Sequence, residues 1–124
     1  MIQKLKWYKY VFNSGVLLLC LCMAPFSHAD ESLFRNHCGA CHTLSAEEAP
    51  RQGPHLANLM GRKAGSVEGF PYSSDLAGLD VQWSAENLDK WLASPQSMAA
   101  NSYMIYQQKD AGIRQSIIKF LETQ

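Results

Sequence analysis

The chain has 124 residues, room for one domain, and is formally neutral, with eleven basic and eleven acidic side chains. Lys4, Lys6 and Lys9 are the only charged side chains before Asp30, so the remainder carries eight basic against eleven acidic groups, a net of −3. That excess of acid argues against nucleic acid or an acidic membrane surface as a partner, since both favour basic patches.

The three lysines are followed by an apolar stretch, densest over Val16–Ala24, then by Pro25 and the triplet Ser27-His28-Ala29. A basic start, an apolar middle and a small-x-Ala end predict a secretory signal peptide over residues 1–29. Cleavage after Ala29 would leave a domain of 95 residues, 30–124. The alternative is an uncleaved anchor. The 16 residues from Val11 to Phe26 are interrupted by Asn13, Ser14 and Gly15, and they fall short of the roughly 20 that span a bilayer. Cys20 and Cys22 each follow a leucine, unlike a lipoprotein site with Gly or Ala before its cysteine, and read as apolar residues lost with the signal. The expected location is a bacterial periplasm.

Residues 31–41 read as a first helix with Asp30 as N-cap, and Leu33, Phe34, Cys38 and Cys41 fall near one face. The string Cys38-Gly39-Ala40-Cys41-His42 has the form of a c-type haem attachment site. On a helical turn, residues i, i+3 and i+4 share a side. Two thiols so spaced can reach both vinyl groups along one haem edge while the histidine rises beneath the iron. A thioredoxin-like pair needs a βαβ context, and no alternating strand pattern stands out. A structural zinc site needs four ligands, and His37 and His55 match no common zinc spacing. A short disulfide suits a secreted protein but gives His42 no purpose.

From Pro50 to Gly78 the chain has loop composition, with three prolines and five glycines. A loop of that length needs an organiser other than secondary structure, and a buried flat cofactor would be one. Ser84 caps a second helix, with Glu86 in its first turn and Leu88, Trp91 and Leu92 as its apolar stripe. Ser94-Pro95 ends it. A final helix begins near Asp110 and carries Ile113, Ile117, Phe120 and Leu121 at helical spacing. The fold class is all-α: three to five helices with long loops wrapped around one covalent haem. His42 supplies one axial position. The other could be open, or filled by another histidine or by a methionine; Met60 reads as core filling, and spacing alone does not separate Met98 from Met104.

Several further motifs run through the domain. Phe34 stands four residues before Cys38, and Gly53-Pro54-His55-Leu56 puts Pro54 twelve past His42. Gly61-Arg62-Lys63-Ala64-Gly65 and Gly69-Phe70-Pro71-Tyr72 follow. Trp83 lies eleven past Tyr72, Pro95 lies nine before Met104, and Met104-Ile105-Tyr106 closes the set. Together these resemble class I cytochromes c of the mitochondrial cytochrome c and bacterial cytochrome c2 branch. The resemblance implies one haem c held through Cys38 and Cys41, with His42 and Met104 as the iron ligands. It implies a Pro54 carbonyl orienting the His42 ring, Tyr72 and Trp83 donating to a haem propionate, and Arg62 near enough to offset its charge. It also implies an electron-transfer role rather than an enzyme: a periplasmic carrier working through transient redox partners, as a monomer, with no stable membrane insertion once the signal is removed. Two alternatives are an electron-accepting subunit of a periplasmic dehydrogenase and a haem sensor or enzyme with an open distal site. The chain also departs from the family. Asp30 replaces a usual glycine at the contact of the first and last helices, and Trp91 a usual tyrosine whose hydroxyl can bond the methionine sulfur. Ala100 and Asn101 replace a usual proline and glycine, and the usual ring of lysines is largely missing.

Overall fold

The computed structural model describes residues 28–124. The lysines, the apolar stretch, Cys20 and Cys22 lie outside the described residues. Five helices follow in order: α1 His28–His37, α2 Ser74–Ala77, α3 Ala85–Ala93, α4 Pro95–Met98 and α5 Ala111–Leu121. No strand is present among the described residues; Lys63 and Gln82 form an isolated antiparallel bridge.

Asp30 does not cap α1 as expected: it lies inside the first turn with Glu31, while Arg35 and His37 occupy the last turn. Acid near the start and base near the end both oppose the helix dipole, and Glu31 pairs with Arg35 one turn on at 2.6 Å. Regular helix stops at His37, short of the expected Cys41. Beyond it the chain tightens. The Cys38 and Gly39 N–H groups both donate to the Phe34 carbonyl, and those of Cys41 and His42 both donate to the Cys38 carbonyl. Two doubly accepting carbonyls thus gather the two thiols and the imidazole into one turn.

Ser84 caps α3 by accepting from the Asn87 N–H, and Asp110 caps α5 by accepting from that of Ile113. The sequence reading has neither α2 nor α4. Both are single turns. Ser73 caps α2, and Pro95, which stops α3, supplies the first residue of α4, where its missing N–H costs nothing. α5 packs against both α1 and α3, and α3 also meets α4. Phe34 and Phe120 fix the first crossing, with ring centroids 5.2 Å apart. At the second, the Arg114 guanidinium donates to Asp89 at 2.8 Å and to the Gln108 and Lys109 carbonyls. Ile117, at 0% exposure, belongs to the buried core cluster together with Leu88, Trp91, Leu92 and Leu121.

The long loop also holds itself, beyond any cofactor. The Gly61 N–H donates to the Trp83 carbonyl, the Trp83 N–H to that of Arg62, and the Ala64 N–H to that of Val81. The Arg62 side chain donates to the His55 and Ala57 carbonyls at 2.9 and 2.8 Å. These bonds satisfy backbone groups that a buried loop would otherwise leave unpaired.

Candidate haem site

The helices and the loop enclose a largely apolar cleft of about 670 Å³, within the usual range for cofactor sites. All eight residues singled out by sequence line it: Cys38, Cys41, His42, Pro54, Arg62, Tyr72, Trp83 and Met104.

Cys38 and Cys41 are free thiols, the first buried. Burial, reinforced by Cys41 alongside, pushes the Cys38 thiol up to about 12. That opposes a thioredoxin-like role, which depends on a lowered thiol pKa. His42 Nδ1 lies 2.8 Å from the Pro54 carbonyl oxygen. A carbonyl only accepts, so Nδ1 carries the proton and donates, leaving Nε2 with its lone pair free. Burial lowers the His42 pKa and keeps the ring neutral, against the opposing pull of the Pro54 carbonyl. The ring lies so close to Gly53 that a Cβ there would fall 2.3 Å from its Cε1. Glycine at 53 is therefore part of the seat for the imidazole.

Another part of the lining carries Met104. Its sulfur accepts a hydrogen bond from Trp91 Nε1 at 3.1 Å, its carbonyl accepts from Gln96 Nε2 at 2.8 Å, and its N–H donates to Ser102 Oγ at 3.2 Å. The expectation that Trp91 costs the site a donor is thus corrected: an indole N–H replaces the phenolic hydroxyl. Met60 and Met98 are partly buried against the core and stand outside the cleft lining, as expected for Met60 and in contrast to Met104, from which spacing alone did not separate Met98.

The remaining residues are more diversely engaged. The Tyr72 hydroxyl accepts from the Val67 N–H at 3.3 Å, leaving its own proton available to a ligand. Burial raises its pKa. Trp83 is buried edge-on to Trp91, with centroids 5.4 Å apart, and its indole N–H has no acceptor among the described residues. Arg62 is turned toward loop carbonyls, and burial lowers its pKa. His37 Nδ1 faces the Tyr106 hydroxyl at 2.9 Å, and the Gln108 side chain donates to that same hydroxyl. His55 Nδ1 faces Arg62. Among the described residues no three His, Cys, Asp or Glu side chains cluster as a metal group. Two unbridged thiols beside an imidazole with a free Nε2, on one apolar cleft, are what attachment of a haem c asks of the chain, and the Met104 thioether shares that cleft. Gly53 and the Trp91 N–H belong to this site and were missed as functional residues by sequence. Gly53 lies inside a motif that was read only for Pro54. Nothing local signals the His37–Tyr106 contact, 69 residues apart in the chain.

The cytochrome c family profile matches residues 31–123. The chain is 34% identical to cytochrome c of Stellaria longipes over 93 residues, covering 73% of this chain and 85% of that protein. It is 35% identical to cytochrome c of Cochliobolus lunatus over 95 residues, again covering 73% and 85%. With the cytochrome c-type cyt cy of Rhodobacter capsulatus the identity is 34% over 96 residues, covering 77% of this chain but 47% of that protein. On the match of its sequence and the donor set of its cleft, the chain belongs to the cytochrome c family of electron-transfer haem proteins, with one haem c attached through Cys38 and Cys41.

Proposed function

We propose that the protein is an exported single-electron carrier in which His42 and Met104 would hold the haem iron. The observation that carries this reading is that Met104, the one methionine among the described residues that lines the cleft, and His42 on the same cleft each have a hydrogen-bond partner that orients them, Trp91 Nε1 and the Pro54 carbonyl. When bound, the haem supplies an iron that alternates between ferrous and ferric, and thioether ligation with burial favours the ferrous form. The chain's task is to hold both ligands in one geometry through either state. Pro54 and Gly53 fix the imidazole plane. Trp91, Gln96 and Ser102 fix the methionine at its sulfur, carbonyl and N–H. Tyr72 and Trp83 offer donors suited to a propionate.

Tyr103 and Ile105, 74% and 86% exposed, flank Met104 and also line the cleft. An exposed apolar pair beside the cofactor supports a transient protein contact at that edge. With the usual lysines largely missing, the chain's partners need not be those of mitochondrial cytochromes. Residues 1–29 support export to a periplasm.

Carbon monoxide binding to the reduced holoprotein tests the ligand set. The wild type should bind none under native conditions, while Met104→Ala should bind it and show a lower potential. Equal behaviour of the two would remove Met104 as ligand, and binding by the wild type would favour an open-site sensor or enzyme. Cell fractionation with an intact mass beginning at Asp30 tests export.

A further inference from the structure

Asn101 and Ala100 stand where the family has glycine and proline, so the segment leading to Met104 lacks the residue that would fix φ locally. The structure holds the segment from outside instead. The Asn101 backbone N–H and its Nδ2 both donate to Asp75 Oδ2, at 2.9 and 3.0 Å, across 26 residues of sequence. Among the described residues no other hydrogen bond joins residues 70–79 to residues 99–104.

Asp75 itself stands on a fixed platform. Ser73 caps α2 through the Leu76 N–H. Gly65, at φ +65, packs so closely that a Cβ there would lie 2.6 Å from the Leu76 carbonyl oxygen. Ser73 and Leu76 line the cleft, as do Ser102 and Met104. Beyond Asn101 there is little slack. Ser102 is buried and its N–H donates to the carbonyl of buried Ala99, and its hydroxyl accepts the Met104 N–H. Met104 lies three positions past Asn101, a reach of about 10 Å at full extension.

We propose that Asp75 is a positioning residue for Met104: its carboxylate, clamped on the two Asn101 donors, ties the methionine segment to α2 and opposes departure of the sulfur from the iron. The idea rests on the reading of Met104 as ligand. The two donors are charge-assisted, the stronger class of hydrogen bond. They hold the Asp75 carboxyl below its ordinary range, the Asn101 N–H foremost and its amide next. Replacement of Asp75 should enlarge the fraction of molecules in which the sixth position is open, and the apparent affinity for a competing ligand rises with that fraction.

The test titrates ferric holoprotein with imidazole and follows loss of the sulfur-to-iron absorption band. Asp75→Ala should bind imidazole about tenfold more tightly than wild type, and Asn101→Ala, which keeps the backbone donor, about threefold. The double variant should exceed Asp75→Ala by no more than twofold, since both changes break one interaction. Asp80→Ala is the control: it removes a carboxylate five residues on, which pairs with Lys63 instead, and it should match wild type. A band present in wild type and lost in Met104→Ala, with imidazole affinity unchanged to within twofold in Asp75→Ala, would overturn the clamp alone. Equal tightening in Asp80→Ala would assign the effect to net charge and also overturn it. No band in wild type, or a band that survives Met104→Ala, would overturn the ligand reading and the clamp together.

Discussion

Replacing Trp91 by phenylalanine removes one atom group that matters to the proposed site, the indole N–H that donates to the Met104 sulfur at 3.1 Å. Donation draws electron density from the sulfur, so the thioether stabilises ferric iron less and the potential rises. Loss of the donor should therefore lower it. A single intramolecular hydrogen bond contributes about 1 kcal/mol net. For a one-electron couple a tenfold change in equilibrium constant is about 59 mV, so full expression of that bond in one oxidation state would shift the potential by about 40 mV. Only the difference between the two states counts, which sets about 20–40 mV as the expected fall. The same change leaves space beside Trp83, whose ring meets Trp91 at 5.4 Å, and should cost about 1–3 kcal/mol of stability. Redox titration of the holoprotein, with equilibrium unfolding of the same samples, separates the two effects. Trp91→Tyr restores a donor of another shape and should recover part of the potential without recovering all of the packing. A folded Trp91→Phe protein with an unchanged or higher potential would refute the reasoning.

Two further outcomes follow from the geometry. Gly53→Ala should force the His42 ring from its seat, because the new Cβ would fall 2.3 Å from Cε1; overpacking of this kind costs about 1–3 kcal/mol, read as a lowered unfolding midpoint together with a disturbed haem spectrum. Asp89, held below its ordinary value of 3.8 first of all by the hydrogen bond from Arg114, contributes stability that is fully present above that value and fades as pH falls through the depressed folded value. A pH series of thermal midpoints between about pH 5 and pH 2 should therefore show a shallower acid limb for Asp89→Asn than for wild type, from a lower starting midpoint.

Much of the architecture was legible because the chain states it locally. Ser84 and Asp110 are caps that read the same in sequence and in space, and the stripe Leu88, Trp91, Leu92 is buried as its spacing implies. The first helix was less legible at both ends. Asp30 looks like a cap by type yet sits inside α1, and regular helix stops before the attachment cysteines because the Phe34 and Cys38 carbonyls each take two donors. α2 and α4 escaped because one turn has no period to detect. In the cleft, the family resemblance put Pro54, Arg62, Tyr72 and Trp83 on the lining, where all four stand. Arg62 turned out to brace the loop through the His55 and Ala57 carbonyls. A residue-by-residue comparison registers Trp91 as the loss of a hydroxyl, whereas the larger ring reaches the same sulfur with a different atom. The Asp75–Asn101 contact joins one departure, Asn101, to a carboxylate 26 residues earlier that no motif marks.

The most direct test of the account is whether the pigment stays with the polypeptide. The protein is exported in cells with a working haem-ligation system, purified, and extracted with acidified acetone. The account predicts that the haem remains on the chain, that intact mass shows one haem per polypeptide, and that Cys38→Ser with Cys41→Ser abolishes the retention. A colourless product, or haem that passes entirely into the solvent from the wild type, would contradict it.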